Sequence, residues 1–451
     1  MSDAITTRAE ISIEPVADKR GRAAFVDCGR AFSDRLPNFV PQIRAEQIEL
    51  IDPAKNPFFG HGRVQLFIAK SGGRAVGRIS AHIDELALAM PADQGFGPGT
   101  GFFGYFDAED EDIARALLSS AEAWLAEQGM TRILGPISLS IWEEPGLLVR
   151  GADHPPMIMM GHHPAHYAGW IEAFGFTRAK TLYTYDLDIT RPFSPLIQRI
   201  VQSGHKNERI NVRRVDKSRW DDEVAIILSI LNDAWSDNWG FVPFTPEEVA
   251  YAGKKLRPLI FEELNMIAEV DGRPVAFMLT FPDVNDALAK IKGKLFPFGW
   301  IHMLRWLRHP KGAGMRVPLM GVLKELHNSR MASQLAFMMI EAIRQQANTK
   351  FQSTRGELGW VLEDNQGMVA IADTIQTTTV AVTADAAKEG DANVTFNFEL
   401  SNKPQAGSDP VVLNVRIGST DYTANYWSST KDTLTKLIHL KALTNQSFTT
   451  K

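Results

Sequence analysis

The stretch RGELGWVLEDN, from Arg355 to Asn365, decides the fold class of this chain. Its pattern predicts a strand that runs into a polar break, and a helix follows from Gln366. Upstream, residues 315–322 predict another strand, and residues 332–349 predict an amphipathic helix after the loop 324–331. The order is therefore strand, loop, helix, strand, Asn, helix. A helix N-terminus beside an opened strand end presents free amide groups that can hold a pyrophosphate.

Five short blocks extend this pattern along the chain. They are NPFF at 56–59, GFFGYF at 101–106, MMGH at 159–162, NDAWSDNWGF at 232–241 and GWVLEDN at 359–365. With the element order above, they resemble the bacterial tandem GNAT-like proteins of the N-acetyltransferase superfamily over residues 10–376. The resemblance implies an α/β (α+β) fold with two tandem GNAT-like acyl-CoA N-acyltransferase units, to which this chain adds a β-rich C-terminal extension that the resemblance does not cover. It also implies acetyl-CoA or another acyl-CoA as co-substrate, and transfer of groups other than aminoacyl groups.

Length and composition are those of a globular protein with two or three domains. The 451 residues are 44% hydrophobic and 22% charged, with a net charge of −5 and a single cysteine, Cys28. This charge gives no reason to expect nucleic acid or a membrane as partner, so we expect a small-molecule acceptor. One cysteine excludes an internal disulfide framework and fits a reducing, cytoplasmic location. The first residues lack the apolar core of a signal peptide, and no apolar run reaches the ~20 residues of a spanning helix. The oligomeric state stays open.

The predicted elements recur in a similar order, which indicates two copies of one fold. We place the first copy at residues 1–195, the second at 196–376 and an extension at 377–451. The first copy has predicted strands at 10–16, 64–69, 75–83, 101–106, 133–141 and 182–187 and predicted helices at 21–34, 112–128 and 164–174. The second has predicted strands at 210–215, 265–270 and 275–281 and predicted helices at 222–235 and 246–256, ahead of the elements described above.

Charge at two corresponding loops predicts which copy binds the cofactor. The first copy has the acidic run Asp107–Asp112, and acidic groups repel phosphate from a helix N-terminus. The second has Lys324, His327 and Arg330, which suit a pyrophosphate. Arg330 stands where the superfamily usually has a glycine that lets the backbone approach phosphate, and we favour retained binding over a decayed site. The predicted cofactor-binding residues are Met320, Gly321, Val322, Ser329, Arg330, Met331, Ala332, Ser333 and Asn365.

Acyl transfer to an amine needs a base, and several carboxylates are candidates. They are Glu143, Glu144, Asp237 and Glu363. Each could instead cap a helix or lie on the surface. The superfamily often uses a tyrosine in the helix after the central strand to protonate the leaving thiolate, and none lies between Gln366 and Ile375. Core packing is the alternative for the aromatic candidates of a substrate pocket. The pocket candidates are His162, Tyr167, Trp235, Trp239 and Phe241. No metal-ligand spacing occurs, so no metal is expected.

Three functions stay open on these patterns. The leading one is acyl-CoA-dependent N-acyltransfer to a small amine or aminoacyl acceptor. The second is a non-catalytic binding protein on a degenerate acyltransferase scaffold. The third is an aminoacyl-transferase-like protein that uses charged tRNA, against which the lack of a basic surface counts.

After Gln376 the composition changes to Thr, Asn, Ser and Asp with short alternating runs. Strands are predicted at 378–382, 394–400, 411–417 and 422–427, with turns at 389–391 and 404–410, and 433–443 is helix-like. We expect the first two strands to complete the sheet of the second copy and the next two to extend it or form a flap. The segments 389–391 and 421–424 faintly resemble Calx-beta modules, but most of that pattern is missing.

Overall fold

The computed structural model of the chain describes residues 10–376, 380–384, 396–400, 411–417, 420–426 and 433–442. Its helices are α1 Lys19–Ser33, α2 Arg44–Leu50, α3 Glu85–Leu88, α4 Glu111–Glu127, α5 Tyr167–Ala173, α6 Pro195–His205, α7 Trp220–Trp235, α8 Pro246–Leu256, α9 Asn285–Ile291, α10 Gly299–Arg308, α11 Arg330–Thr349 and α12 Gln366–Gln376. Its strands are β1 Ile11–Val16, β2 Gly62–Ser71, β3 Arg74–Asp84, β4 Thr100–Ala108, β5 Arg132–Gly135, β6 Ile137–Ser138, β7 Glu144–Pro145, β8 Leu147–Arg150, β9 Thr177–Asp188, β10 Ile210–Arg214, β11 Met266–Val270, β12 Arg273–Pro282, β13 Met315–Val322, β14 Arg355–Leu362, β15 Val380–Ala384, β16 Phe396–Leu400, β17 Val411–Ile417, β18 Thr420–Tyr426 and β19 Thr433–Ala442.

One sheet runs through both copies. Its strand order is β1-β2-β3-β4-β5-β19-β9-β14-β13-β12-β11-β10, and β8 also pairs with β19. The strands β1 to β5 belong to the first copy and β10 to β14 to the second. Between them lie β19 and β9, and β9 of the first copy pairs directly with β14 of the second. The two copies therefore share one continuous backbone hydrogen-bond network.

Each copy contains one parallel pair of strands that opens into a wedge. Thr100–Phe102 of β4 pairs with Arg132–Leu134 of β5, and Met315–Val317 of β13 pairs with Gly356–Leu358 of β14. Within residues 10–376, β13 and β14 then continue without further pairing to one another. A long helix connects the strands of each pair, α4 in the first copy and α11 in the second. The chain thus folds as two tandem GNAT-like units.

The connecting helices follow the predicted apolar stripes. In α4, Ile113, Leu117, Ala121 and Leu125 are buried at helical spacing. In α11 the buried residues are Leu335, Ala336, Phe337, Met338, Met339, Ile340, Ile343 and Ala347. Both helices therefore bury one face against the sheet of their own copy. The single cysteine, Cys28, is buried on α1.

Several predicted boundaries need correction. The strand expected at 133–141 ends at Gly135, because the chain then forms the two-residue strand β6 and a turn. The helix expected at 164–174 begins only at Tyr167. The helices α6, α9 and α10 were not predicted, because Pro and Gly interrupt or border their short apolar runs. By contrast, α8 and β13 have the predicted bounds.

The strand β19 overturns two expectations about the extension. The segment 433–443 is helix-like in sequence, yet Thr433–Ala442 is a strand between β5 and β9. Two neighbouring strands whose backbone groups need partners override a weak local preference. The extension therefore completes the sheet of the first copy, whereas β15 pairs with β16 and β17 with β18 among the described residues. The predicted turns at 389–391 and 404–410 lie outside those residues.

Candidate active site

A cavity of about 290 Å³ lies where β13 and β14 separate. Its wall comes mainly from apolar and aromatic side chains of both copies. Strand residues in the wall include Val317, Pro318, Leu319, Met320, Leu358, Trp360, Val361 and Leu362. Pro318 lies on the edge that β14 has left, where the missing N–H of a proline costs no strand hydrogen bond. The cavity has the character and approximately the size of a site for an apolar ligand.

A buried ion pair lies at the point where the wedge begins. Arg316 of β13 and Glu357 of β14 are register partners, and both side chains are fully buried. Their Nη1 and Oε1 atoms are 3.4 Å apart, and Arg316 Nη2 lies 3.3 Å from the Met160 sulfur. Burial of either charge without the other is costly, so the pair ties the two strands together just before they diverge.

Trp142 brings the first copy into the cavity wall. Its ring stacks on Phe244 with centroids 4.1 Å apart and on Trp235 with centroids 5.9 Å apart. Trp142 Nε1 donates to the Val242 carbonyl at 3.0 Å. Because Trp142 follows β6 whereas its partners follow or belong to α7, this aromatic stack joins the two copies.

A second cavity of about 320 Å³ lies in the first copy. Its wall is more polar and includes Arg78, Tyr105, Asp107, Glu144, His162 and His163. Leu50, Trp142, Glu143 and Met159 line both cavities. The two spaces therefore meet at these four side chains, and Glu143 is the one carboxylate among them.

The Glu143 carboxyl has the protonation behaviour of a base for neutral pH. Burial raises its pKa to about 7, with smaller contributions from the Lys255 charge, which lowers it, and from Glu144 and Glu248, which raise it. A general base works best when its pKa lies near the operating pH. Glu143 can therefore accept a proton from a group held where the cavities meet.

One face of α8 supplies further polar groups to the apolar cavity. Glu248, Tyr251 and Lys255 line it at spacings of three and four residues. Lys255 Nζ donates to the Tyr251 hydroxyl at 2.6 Å, and that hydroxyl donates to Glu49 Oε1 at 3.2 Å. The bounds of α8 agree with the predicted helix, but this polar face was not predicted. The spacing of a Glu, a Tyr and a Lys on one helix face was the available signal.

His61 forms a charged bridge between the copies. Its Nδ1 lies 2.9 Å from Asp84 of the first copy, and its Nε2 lies 3.1 Å from Glu248 of the second. The Asp84 contact, opposed by partial burial, raises the pKa of His61, and Glu248 raises it further. The bridge holds Glu248 beside the cavity and was not predicted.

The residues predicted for cofactor binding lie around the wedge of the second copy. The carbonyls of Met320 and Val322 accept from Trp235 Nε1 at 3.0 Å and from His327 Nε2 at 2.7 Å. Residues that alternate along a strand direct their N–H and C=O groups to the same side, so Met320 and Val322 present their N–H groups to the open edge. All three residues have register partners on β12, but Gly321 lies opposite Phe277 in phase with Leu323, whose N–H donates to the Val275 carbonyl at 2.9 Å, so Gly321 directs its N–H toward β12.

The N-terminus of α11 is partly capped by its own loop. The Ser329 hydroxyl accepts from the Ala332 amide at 3.1 Å, so that amide already has a partner. Arg330 and Ser333 are exposed, and Met331 is partly buried. Asn365 lines the apolar cavity, and its side chain caps α12 by accepting from the Met368 amide at 3.1 Å. The Asn after β14 thus starts the next helix.

The residues predicted for the acceptor fall into two groups. Those that line a cavity are Glu143, Glu144, His162, Trp235, Trp239 and Phe241. The others have structural partners elsewhere. Asp237 is exposed and forms an ion pair with Lys324, and Glu363 accepts from the Thr181 amide at 3.0 Å. The Tyr167 ring is fully buried in the first core, where its hydroxyl contacts the Ala108 backbone.

Two cavity residues have strong polar partners of their own. Glu144 lies 3.2 Å from His163 Nε2, and His162 Nε2 lies 2.7 Å from the Pro37 carbonyl. Burial lowers the pKa of His162, so the ring is neutral and donates from Nε2. In the part of the chain that the structure describes, no group of three or more His, Cys, Asp or Glu residues is placed to hold a metal.

Comparison with known proteins gives a family. No family model matches the chain. The bacterial ceramide synthase of Caulobacter vibrioides (strain NA1000 / CB15N) is 40% identical over 372 residues, which are 82% of this chain and 95% of that protein. Protein YghO of Escherichia coli (strain K12) is 39% identical over 354 residues, which are 78% of this chain and 88% of that protein.

Solved structures with a similar arrangement are much more distant in sequence. A tandem GNAT protein from the clavulanic acid biosynthesis pathway is 12% identical with a TM-score of 0.49, and the match covers 97% of this chain and 100% of that chain. A GCN5-related N-acetyltransferase from Sphaerobacter thermophilus is 9% identical with a TM-score of 0.44, and the match covers 96% of each chain. From the sequence identity to these curated relatives, this chain belongs to the family that includes the bacterial ceramide synthase and protein YghO.

Proposed function

We propose that this protein is an acyl-CoA-dependent N-acyltransferase that joins a fatty acyl group to the amine of a long-chain amino alcohol. A ceramide is an amide of this kind, and the relative with 40% identity is named for its synthesis. The apolar cavity at the wedge supports a long acyl chain in preference to an acetyl group, because an acetyl group has almost no apolar surface to bury there. This proposal replaces the small amine expected from the sequence with a lipid amine.

The second copy offers the features that an acyl-CoA needs. The exposed Arg330 guanidinium at the start of α11 supplies positive charge for a pyrophosphate. The N–H groups of Met320 and Val322 on the open edge of β13 can donate to the pantetheine amides. The apolar cavity then receives the acyl chain. Ser329 already caps the Ala332 amide, so we assign phosphate binding to the Arg330 charge more than to the helix amides.

Glu143 lies where the amine has to meet the thioester. In our proposal its carboxylate accepts a proton from the ammonium group of the acceptor, directly or through a water molecule. The amine nitrogen then forms a bond to the thioester carbonyl carbon, and the bond from that carbon to sulfur breaks. The nitrogen loses its second proton to solvent as the amide forms, and the departing CoA thiolate takes up a proton, so the overall reaction releases one proton. Since α12 contains no tyrosine, we assign the proton that the thiolate takes up to Tyr251, whose hydroxyl contacts Lys255 beside the same cavity.

The position of Glu143 between the two cavities is the observation that carries this proposal. The test is an assay of amide formation by the full chain, with acyl-CoA thioesters of increasing length and a long-chain 2-amino alcohol. We expect activity that rises with acyl length and is lost in Glu143→Gln. Equal or better activity with acetyl-CoA and a short amine would contradict the choice of substrate.

One observation favours the alternative that the protein is a non-catalytic binding protein. The loop before α11 has no glycine between Lys324 and Ser333, so its backbone cannot approach a phosphate as closely as in the usual superfamily loop. A binding protein would bind acyl-CoA in a calorimetric titration and form no amide with any amine. Tight binding without turnover would therefore replace our first proposal with this one.

A further inference from the structure

The segment 290–311 carries an apolar surface that is open to solvent. Phe296 is 81% exposed, Phe298 73% and Trp300 48%, and Ile301 and Leu304 are also exposed. The two phenylalanines precede α10, and the other three residues lie on one side of it, at spacings of one, three and four positions. Exposed apolar residues that cluster in this way mark a contact surface, whereas isolated ones are common on any protein.

The inner face of α10 is already occupied. Trp306 is buried there, and Met303 and Leu307 pack with it against Phe281 and Ala287. The helix is thus apolar on two faces, one toward the protein core and one toward solvent. An ordinary surface helix has a polar outer face, so the apolar outer face of α10 needs a different explanation.

Basic residues surround the exposed apolar group. Lys290, Lys292 and Lys294 precede it, and Arg305, Arg308 and Lys311 follow, and all six are exposed. Residues 287–312 contain no Asp or Glu. This local charge is opposite to the net charge of −5 for the whole chain. Aromatic residues flanked by Lys and Arg are typical of segments that lie in the interface of a membrane with anionic lipids.

The exposed apolar surface of the segment 290–311 lies close to the proposed acyl site. The cluster under α10 contains Phe281, Leu279, Leu256 and Met159, and these four side chains also line the apolar cavity. One layer of side chains therefore separates the cavity from the helix with the exposed aromatic residues. Any lipid substrate held by the surface would be next to the cavity.

We propose that the segment 290–311 docks the protein on the surface of an anionic lipid bilayer. Phe296, Phe298 and Trp300 insert among the lipids, and the six basic residues contact the headgroup phosphates. No helix among the described residues is long and apolar enough to cross a membrane, so this is contact with one leaflet. The expectation that a membrane is not a partner came from the net charge, which conceals this local cluster.

The test is sedimentation of the full chain with lipid vesicles at low salt. The vesicles are pure phosphatidylcholine or an equal mixture of phosphatidylcholine and phosphatidylglycerol. We expect binding to the mixed vesicles, weaker binding to the neutral ones, and release from the mixed vesicles as salt rises. Phe296→Ser, Phe298→Ser and Trp300→Ser together, or Lys290→Glu, Lys292→Glu and Lys294→Glu together, should each lower binding to the mixed vesicles at least roughly tenfold.

A matched control uses another exposed apolar residue. Leu196 on α6 is 51% exposed, and Leu196→Ser should bind the mixed vesicles like the native chain. If the aromatic variant has a lower melting temperature than the native chain, the test rests on the lysine variant, which changes only exposed side chains. The inference is overturned if the native chain stays in the supernatant with mixed vesicles. A surface that docks another protein instead of a membrane would give that same result. The inference is equally overturned if the lysine variant binds like the native chain.

This inference and the proposed function fail separately. Vesicle binding is measured without substrate, so an inactive protein can still confirm it. Conversely, amide formation from water-soluble, short-chain substrates needs no vesicles. In that assay both groups of surface variants should keep the native rate, since none of their residues lines either cavity.

Discussion

The wedge of the first copy is narrowed by its own chain and borders a cavity with a more polar wall, whereas the wedge of the second copy opens into an apolar cavity. In the first copy, β6 lies against β4, and the Tyr105 amide donates to the Ser138 hydroxyl at 3.2 Å. A Cβ atom on Gly104 would lie only 2.2 Å from the Ile137 carbonyl oxygen, which shows how closely the backbones approach. In the second copy, the helix α12 follows β14 directly in the chain, and the space holds about 290 Å³.

The N-termini of the two connecting helices, α4 and α11, also differ, because their first residues have opposite charges. Asp110 caps α4 by accepting from the Ile113 amide at 3.0 Å, and Glu111 and Asp112 follow it. Ser329 caps α11, and Arg330 follows it. One copy therefore has a narrowed wedge with an acidic helix start, and the other an open apolar wedge with a basic one. A shared topology does not give the two copies a shared function, because the site depends on these local features.

The largest expected effect comes from removing the strand that completes the sheet of the first copy. A chain that ends at Gln376 loses β19, which pairs with β5, β8 and β9. Two strands in the middle of the sheet would then expose unpaired backbone edges. We expect an insoluble protein or a melting temperature lower by more than roughly 10 °C, measured by thermal denaturation.

A pair of proline substitutions controls for a general effect of changing the extension. Leu437→Pro lies in β19, where Leu437 pairs with Thr181 and Leu147, and it should reproduce much of the loss. Leu413→Pro lies in β17, which pairs only with β18 among the described residues, and it should have a small effect. If the truncated chain melts like the full chain, β19 does not complete the first copy.

The next largest effect concerns Glu143. Glu143→Gln should lower kcat by roughly 10²–10⁴-fold without changing acyl-CoA affinity, because it removes a general base and leaves the cavity intact. Glu144→Gln is the matched control. Glu144 has His163 as a partner and lines the cavity of the first copy, so a smaller loss is expected. Equal losses in the two variants would remove the special position of Glu143.

The dependence of activity and of stability on pH follows from the raised pKa of Glu143, which lies at about 7 against an ordinary value of 4.5. Activity should fall as pH drops below about 7, because the base becomes protonated. The folded state holds this proton more tightly than the unfolded state, so stability falls as pH rises from the ordinary value through the raised one. Glu143→Gln should thus have a higher melting temperature than the native chain above about pH 8 and not in acid. A native melting temperature that is independent of pH would contradict the burial of this carboxyl.

Much of the fold was predictable because its signals are local. The apolar stripe of α4, the Thr245–Glu248 capping box at the start of α8 and the short apolar run of β13 each depend on neighbouring residues. The place of β19 was not predictable, since it depends on a gap between β5 and β9 that only the folded sheet creates. Likewise, the helix α10 was not predicted, because its sequence is apolar on both faces and lacks the one-sided apolar stripe of an ordinary surface helix.

The candidate site was predictable only in part. Glu143 and Trp235 were identified by residue type, but the same reasoning gave equal weight to Asp237 and Glu363, which have partners elsewhere. Residue type does not show which carboxylates converge in space. The roles of Trp142 and Tyr251 depend on contact between the two copies, and no local pattern in one sequence encodes that contact.

A smaller effect on acyl-CoA binding should show that the cavity of the second copy discriminates between acyl chains by their length. Ala252 lies on α8 and lines this cavity, and Ala252→Phe fills part of it. Each buried methylene contributes ~0.8 kcal/mol, so exclusion of about three methylenes should weaken binding of a long acyl-CoA roughly fiftyfold. Acetyl-CoA binding should not change. Ala250→Phe on the same helix is exposed and is the control. Calorimetric titration with both thioesters measures the difference, and equal effects on both would place the acyl chain elsewhere.

The smallest of these effects tests the two helix starts directly. Arg330→Glu replaces attraction of the pyrophosphate with repulsion, and it should weaken acyl-CoA binding at least roughly tenfold, or ~1.4 kcal/mol. The effect should exceed that of Lys324→Ala, because Lys324 already has Asp237 as an ion-pair partner. In the first copy, Asp110→Asn with Asp112→Asn removes two acidic charges and keeps a good N-cap residue, so neither stability nor acyl-CoA affinity should change. Titration with acyl-CoA measures all three variants. A gain of affinity in the double Asn variant would show that the first copy also meets the cofactor, and unchanged affinity in Arg330→Glu would remove the phosphate site from the second.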